Sequence, residues 1–309
     1  MKTLEILLEF LKSVTLVTVG QLVSVFGVFF IFGLILYFLA RSTRRVYVNS
    51  AGTTLDIILT GWIGTPVHEL GHALFCLLFL HKIEKIKLFD PNPTDGSLGY
   101  VKHSYNKKNL YQRIGNFFIG VGPIMLGSAV LYATMYLLIP GIKNVFTEIE
   151  KHGSAINNAG FSNWQLIFQS AWSSITIILG AITDPNNFGN WKFWLFIYIS
   201  MSVASHMELS PSDLKSALGG FLILALFVFF INLVVMVFQA VSPNMQVASF
   251  FDHFSLQTYM ASLGRFTGFV TALFMYAFCI SALNLLVSWA LLSVYSLIRG
   301  RGVINPFWS

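Results

Sequence analysis

The chain has 309 residues, of which 55% are hydrophobic and only 10% are charged, and its mean hydropathy is +0.71. Soluble domains carry about a quarter charged residues, so this composition excludes an ordinary soluble protein and indicates a membrane protein. The net charge of +6 does not indicate a nucleic-acid partner, because the basic residues cluster between apolar runs, where they usually set membrane orientation. Cys76 and Cys279 both lie inside apolar runs and indicate no disulfide framework.

The apolar runs predict a single integral membrane domain, residues 1–309, with about six transmembrane helices, since about 20 apolar residues in a helix cross a bilayer. The predicted spans are residues 14–40, 55–80, 117–139, 191–204, 217–241 and 266–298. Residues 161–182 are apolar but rich in Trp, Gln and Ser, which favours an interfacial helix over another span. The predicted fold class is an all-α polytopic membrane protein.

The second span is expected to be broken near its middle. Gly61, Gly64 and Pro66 would kink or restart the helix, with Thr65 as a cap for the part that follows. Beyond this span, residues 82–105 alternate apolar and polar side chains around a turn of Pro, Asn, Asp and Gly, which predicts a membrane-associated β-hairpin.

The distribution of Lys and Arg favours a cytosolic location for both termini and for the hairpin. With six spans, this orientation places twelve basic residues on the inner side and seven on the outer side. The basic run at 41–45 would then lie outside. We expect a multi-pass protein of a prokaryotic cell membrane, with the functional site of the protein facing the cytosol. The sequence does not indicate the oligomeric state.

The sequence "HELGH" (68–72) lies inside the second predicted span. His68 and His72 are four residues apart, so they share a helix face and can bind one zinc ion, and Glu69 between them is placed to act as a general base. Two buried histidines beside a paired glutamate are the alternative. Ionisable groups at membrane depth are costly, so a metal site accounts for them better.

A catalytic zinc site needs a third protein ligand. Residues 205–220 place acidic and imidazole groups between two apolar spans, beside a proline that breaks the helix. Such breaks occur at membrane depth where they line a cavity or pack against protein. Asp213 is the first candidate, His206 the second and Glu208 the third. Asp213 also suits a helix cap, and both roles can hold at once.

With these residues, the chain resembles the site-2 protease family of intramembrane zinc metalloproteases. The matching motifs, in the family's order, are "HELGHALF" (68–75), "GSLGYV" (96–101), "GVGPIM" (120–125) and "LSPSDLKSALGG" (209–220). The resemblance implies one zinc ion per chain on His68, His72 and Asp213, with Glu69 as general base. It implies that the helix broken by a proline carries the third ligand, and that the hairpin dips into the membrane.

The resemblance also implies a transmembrane protein substrate, held in the bilayer by strand addition to the hairpin. Gly99, Tyr100 and Pro123 are then candidate substrate-binding residues. The family typically has asparagines beside its two proline motifs, and this chain does not, so His206 or Asn232 is the candidate source of that polar contact.

Other classes of protein remain open. One is a membrane zinc hydrolase that acts on a lipid-linked substrate, and another is a non-hydrolytic transporter or chaperone. The intact Glu69 argues against the chaperone, since loss of the base is the simplest route to an inactive homologue, whereas tightly bound zinc would argue against the transporter. His103, near the end of the hairpin, is interpreted as a surface histidine.

Overall fold

A computed structural model of the chain describes residues 2–92, 97–140, 142–159, 164–241 and 256–307. The elements in these ranges are α1 Lys2–Ala51, α2 Thr53–Asp56, a π-helical turn Ile57–Gly61, α3 Trp62–Leu78, β1 Lys82–Lys87, β2 Tyr100–Ser104, α4 Leu110–Leu138, α5 Lys143–Ala159, α6 Trp164–Ile182, α7 Pro185–Phe188, α8 Trp191–Ser205, α9 Pro211–Val241 and α10 Leu256–Ile298. The protein is therefore mostly helical, with one small sheet.

Four helices in the described ranges are long and apolar enough to cross a membrane. They contain Leu4–Ser50, Leu110–Leu138, Pro211–Val241 and Gly268–Ile298. The protein is thus membrane-embedded. Helices α3 and α8 have 17 and 15 residues, fewer than the about 20 that cross a bilayer alone, so six spans stay a prediction. The interfacial position of α6 also stays one, and residues 161–163 lie outside the described residues.

The helix that carries the histidine motif begins earlier than the sequence predicts. It starts at Trp62, directly after the π-helical turn, and Pro66 lies inside it. Thr65 is not a helix cap, because its hydroxyl is buried and has no hydrogen-bond partner among the described atoms. Pro66 lacks the N–H that would bond the preceding turn. The irregularity of the helix is the wider π-helical turn, which ends at Gly61, the first residue of the expected break.

Helix α1 continues through the basic run at 41–45, where the sequence predicts the end of a span. Arg44 lies 2.7 Å from Glu208 and 3.4 Å from Asp56, measured from guanidinium nitrogen to carboxylate oxygen. The Asp56 side chain is only 3% exposed. The two carboxylates compensate the cation, so the helix can pass among packed neighbours at this point.

Helix α5 forms between two predicted apolar segments, in a stretch for which the sequence predicts no helix. Its buried residues include Phe146 and Ile149, and it packs against α6 and α10. Their spacing of three places them on one face. The segment is an amphipathic helix whose apolar side joins the core.

Aromatic rings from α1, α4 and α10 form the centre of the helix bundle. Phe26 meets Phe117 edge to face with ring centroids 5.3 Å apart, and Phe29 meets Phe274 in the same way at 5.4 Å. Edge-to-face pairs each contribute about 1 kcal/mol beyond the burial of their surface. These contacts hold α4, and through it α3, against the long first and last helices.

Strands β1 and β2 form the predicted antiparallel hairpin. Lys82 lies opposite Ser104 and Lys87 opposite Tyr100, with a register shift between Ile83 and Lys85. Residues 93–96 of the predicted hairpin, at its turn, lie outside the described residues.

The chain reverses between α3 and β1 through a Schellman motif. The N–H of His81 donates to the carbonyl of Cys76 at 2.8 Å, and the N–H of Leu80 donates to the carbonyl of Leu77 at 3.2 Å. This arrangement needs a left-handed residue directly after the helix cap, normally glycine. Leu80 occupies that place with φ of 56°, although a left-handed conformation costs a residue with a side chain roughly 1 kcal/mol.

We therefore expect Leu80→Gly to stabilise the protein by up to about 1 kcal/mol, because glycine adopts this conformation without the steric cost. The measurement is thermal unfolding in detergent. Leu78→Gly is the matched control: it changes an exposed leucine inside the last turn of α3, where glycine should destabilise by about 1 kcal/mol. A lower melting temperature for both variants would contradict the assignment of strain to Leu80.

Candidate metal centre

Three predicted ligand residues meet between α3 and the start of α9. The His68 and His72 rings lie on one side of α3 with their centroids 5.0 Å apart. Asp213 Oδ1 lies 3.4 Å from His72 Nε2, and its Oδ2 lies 3.9 Å from His68 Nε2. One ligand atom from each residue lies within 4.8 Å of the others. This group can hold a metal ion.

Glycines allow the helices that carry these residues to reach backbone contact. A Cβ atom on Gly71 of α3 would lie 2.7 Å from the carbonyl carbon of Gly122 in α4, and one on Gly120 would lie 2.6 Å from the carbonyl oxygen of Asp213 in α9. Both distances are shorter than a carbon atom can tolerate. Small residues at such crossings are typical of helix packing in membranes, and here they set the distance between the ligands.

Two backbone carbonyls orient the histidine rings. His68 Nδ1 lies 2.8 Å from the carbonyl oxygen of His206, and His72 Nδ1 lies 2.8 Å from the carbonyl oxygen of Ile119. A carbonyl oxygen only accepts hydrogen bonds, so each Nδ1 carries a hydrogen, and Nε2 is the ring nitrogen that faces Asp213. Histidines that bind metals are usually held in this way by a second hydrogen bond.

Asp213 is both a member of this group and part of a helix cap. The Ser210 N–H and hydroxyl donate to Asp213 Oδ2 at 2.9 Å and 2.7 Å, and the Asp213 N–H donates to Ser210 Oγ at 3.1 Å. These reciprocal bonds form a capping box, with Pro211 at the first helical position. The cap fixes the orientation of the carboxylate, and Oδ1 remains directed at His72.

The group faces a cavity of about 490 Å³. Glu69, only 7% exposed, also lines the cavity. Gly99 and Tyr100 of the hairpin and Arg44 of α1 line it as well. The cavity thus combines a candidate metal site, a buried carboxylate and the edge of a small sheet.

Gly99 determines how closely the hairpin approaches α3. A Cβ atom at this position would lie 2.8 Å from Glu69 Cγ and 2.9 Å from Thr65 Cγ2. The backbone of the hairpin therefore rests directly over Glu69, and only a residue without a side chain fits there.

His206 contributes its backbone rather than its ring. The ring is buried, its Nδ1 lies 3.2 Å from the carbonyl oxygen of Ser202, and its Nε2 has no hydrogen-bond partner among the described atoms. The ring borders the cavity but does not join the donor group of His68, His72 and Asp213. His206 therefore orients the His68 ring through its backbone carbonyl.

Other predicted contacts lie elsewhere. Pro123 is buried inside α4 at the crossing with α3 and is not one of the residues that line the cavity. Asn232 donates to Thr18 at 3.0 Å and to Gln21 at 2.8 Å, so its amide joins α9 to α1. The role of Asn232 is therefore helix association, because interhelical amide bonds of this kind hold membrane helices together.

Two residues that line the cavity, His103 and Arg44, are not predicted there by the sequence. His103 lines the cavity and its Nδ1 lies 3.0 Å from His81 Nδ1, so the interpretation as a surface histidine is not supported. Arg44 reaches the cavity from a run predicted to lie beyond the end of a span. The alternation of residues along β2 is the available signal for His103, since alternate residues face the same side of a sheet.

Comparisons with known proteins give no relative for this chain: no family model, curated protein or solved structure matches it.

We expect His68→Ala and Asp213→Ala each to lower the metal content of the purified protein by one ion per chain, because each removes a donor from a group of three. His206→Ala should keep that ion, since only its backbone carbonyl serves the site. The measurement is elemental analysis in detergent after expression with sufficient metal. If Asp213→Ala kept the ion and His206→Ala lost it, the third ligand would be His206 and not Asp213.

Proposed function

We propose that the chain is an intramembrane zinc metallopeptidase that hydrolyses peptide bonds of transmembrane protein substrates, as the site-2 proteases do. The observation that carries this proposal is the convergence of His68, His72 and Asp213 on a cavity that Glu69 also lines. The proposal includes a six-span arrangement, in which α3 and α8 complete the bundle, and a site that faces the cytosol.

The donor set fits zinc. Two imidazoles and one carboxylate, with a position left for water, is the pattern of catalytic zinc sites rather than of closed structural sites. The outward hydrogen bonds of both histidines and the capped carboxylate fix all three side chains before any ion binds. Zinc bound there would polarise the scissile carbonyl and lower the pKa of a water molecule.

Glu69 is the residue proposed to move the proton. Its carboxylate borders the cavity from the same helix turn as His68, so it can accept a proton from the attacking water. The water oxygen then bonds to the carbonyl carbon, the carbon–nitrogen bond breaks, and Glu69 returns the proton to the departing amine. The hairpin backbone lies over Glu69 and leaves this side chain only 7% exposed, which would limit the access of bulk water to it.

Strand β2 supports the proposed mode of substrate binding. Tyr100, Val101 and His103 line the cavity, so strand β2 borders the site. Strand β1 instead carries Lys82, Lys85 and Lys87 together with the register shift, features that protect an edge from added strands. An unwound substrate segment would therefore add to β2 and present its backbone beside Glu69.

Glu69→Gln should lower peptide hydrolysis by at least about 100-fold, because a general base typically contributes that much or more. The metal content should stay unchanged, since Glu69 is not a member of the donor group. The measurement is cleavage of a synthetic transmembrane peptide with a central glycine, followed by mass spectrometry. Full activity of Glu69→Gln, or wild-type protein that hydrolyses a lipid-linked ester but no peptide, would overturn the proposal.

Gly99→Ala should lower the activity at least about tenfold while the metal stays bound. The added methyl group would overlap Glu69 and Thr65, so the hairpin must move away from the site, and small displacements of reacting groups cost this much or more. Gly189→Ala is the matched control, because a Cβ atom there meets nothing within 4 Å. Equal activity of the two variants would show that the hairpin position does not matter for hydrolysis.

A further inference from the structure

A second cluster of metal-binding side chains lies where the hairpin meets the end of α3. It consists of Cys76, His81 and His103, and one ligand atom from each lies within 4.8 Å of the others. We propose that this cluster is a second zinc site, which fastens strand β2 to α3. It shares no ligand with the group of His68, His72 and Asp213, so it does not depend on the proposed peptidase function.

The turn after α3 brings two of the ligands together. Cys76 is completely buried in the last turns of α3, and His81 is 4% exposed. The Schellman motif bonds the His81 N–H to the Cys76 carbonyl at 2.8 Å. The strained left-handed conformation of Leu80 is the cost of this arrangement, which indicates that the position of His81 is closely determined.

The His81 ring is oriented to offer Nδ1 as a ligand. Its Nε2 lies 2.8 Å from the carbonyl oxygen of Gln112, and the ring stacks on Tyr105 with centroids 4.9 Å apart. The carbonyl can only accept, so Nε2 carries the hydrogen and Nδ1 keeps its lone pair. A metal-binding histidine needs this pattern.

The hairpin register supplies the third ligand. His103 lies opposite Ile83 in the strand pair, and its Nδ1 lies 3.0 Å from His81 Nδ1. Burial lowers the pKa of both histidines below the ordinary value, which favours the neutral form of each ring. Two neutral rings can share one hydrogen bond through these atoms, or direct both lone pairs at one ion. The Cys76 thiol offers a third donor atom within 4.8 Å of these two, so an ion at this point would have three protein ligands.

The donor types select the metal. A thiolate with two imidazoles suits zinc and other borderline or soft ions, and does not suit Mg²⁺ or Ca²⁺. Binding would release the proton of the Cys76 thiol to water, which makes the affinity depend on pH. Three protein ligands leave a fourth position, and His103 borders the main cavity, from which water can occupy it.

The consequence of such a site is mechanical. Cys76 lies one helical turn after His72 on α3, so an ion at the second site would hold β2 beside the metal-binding turns of the helix. The hairpin would then be fixed at its base by metal ligands and over Glu69 by the close contact of Gly99.

The test is loading of the full-length protein with Co²⁺ in detergent, followed by metal analysis and near-ultraviolet absorption. A thiolate bound to Co²⁺ gives a charge-transfer band that imidazole and carboxylate ligands do not give. Wild-type protein should bind one ion for each of the two groups and show the band. Cys76→Ser and His103→Ala should each lose one ion and the band. Cys279→Ser, which changes the other buried cysteine, should keep both.

His68→Ala separates this proposal from the peptidase proposal, because it should lose one ion but keep the band. Wild-type protein without the band, or a band that survives in Cys76→Ser, would overturn the second site and show that His81 and His103 are only hydrogen-bonded to each other. If Cys76→Ser does not fold, the wild-type spectrum and His103→Ala still decide the question. Loss of the band in Cys279→Ser would show that the band comes from Cys279, and would also overturn the proposal.

Discussion

The close approach of α3, α4 and α9 is the constraint on which the site depends. The ligands project from two of these helices, and a carbonyl of the third orients His72. The ligand atoms lie within a few ångströms of one another in a region where the backbones touch, and Gly71, Gly120 and Gly122 permit that contact. In a bilayer, such packing has to replace the hydrophobic effect as the source of helix association. The same glycines therefore serve assembly and metal geometry.

The sequence predicts those features that are local. The spacing of His68 and His72 determines their common face, because helix geometry involves only neighbouring residues. The alternating pattern predicts the hairpin for a similar reason. The position of Asp213 beside the histidines is different, since it follows from two helix crossings far apart in the chain. The segment broken by a proline makes Asp213 the first of three candidates, beside His206 and Glu208, and the contacts between the helices show that Asp213 is the one that joins the histidines.

Contacts of backbone atoms and paired charges are the features that the sequence does not reveal. The carbonyls of His206 and Ile119 orient the two histidines, yet any residue type could supply a carbonyl. Arg44 looks like the end of a span when its charge is considered alone, and its carboxylate partner Glu208 is distant in sequence. Helix α5 has an amphipathic pattern, but its polar composition does not indicate a helix of the bundle. Its apolar side becomes a core face only through packing against α6 and α10.

The uninterrupted length of α1 has a consequence for the lipid around the protein. Its apolar part, residues 14–40, is about 40 Å long at 1.5 Å per residue, whereas the hydrocarbon layer measures about 30 Å. Such a mismatch is relieved by a tilt of roughly 40° or by local thickening of the bilayer. Because Arg44 follows this stretch on the same rigid helix and borders the cavity, a change in bilayer thickness would reach the site as a change in helix tilt.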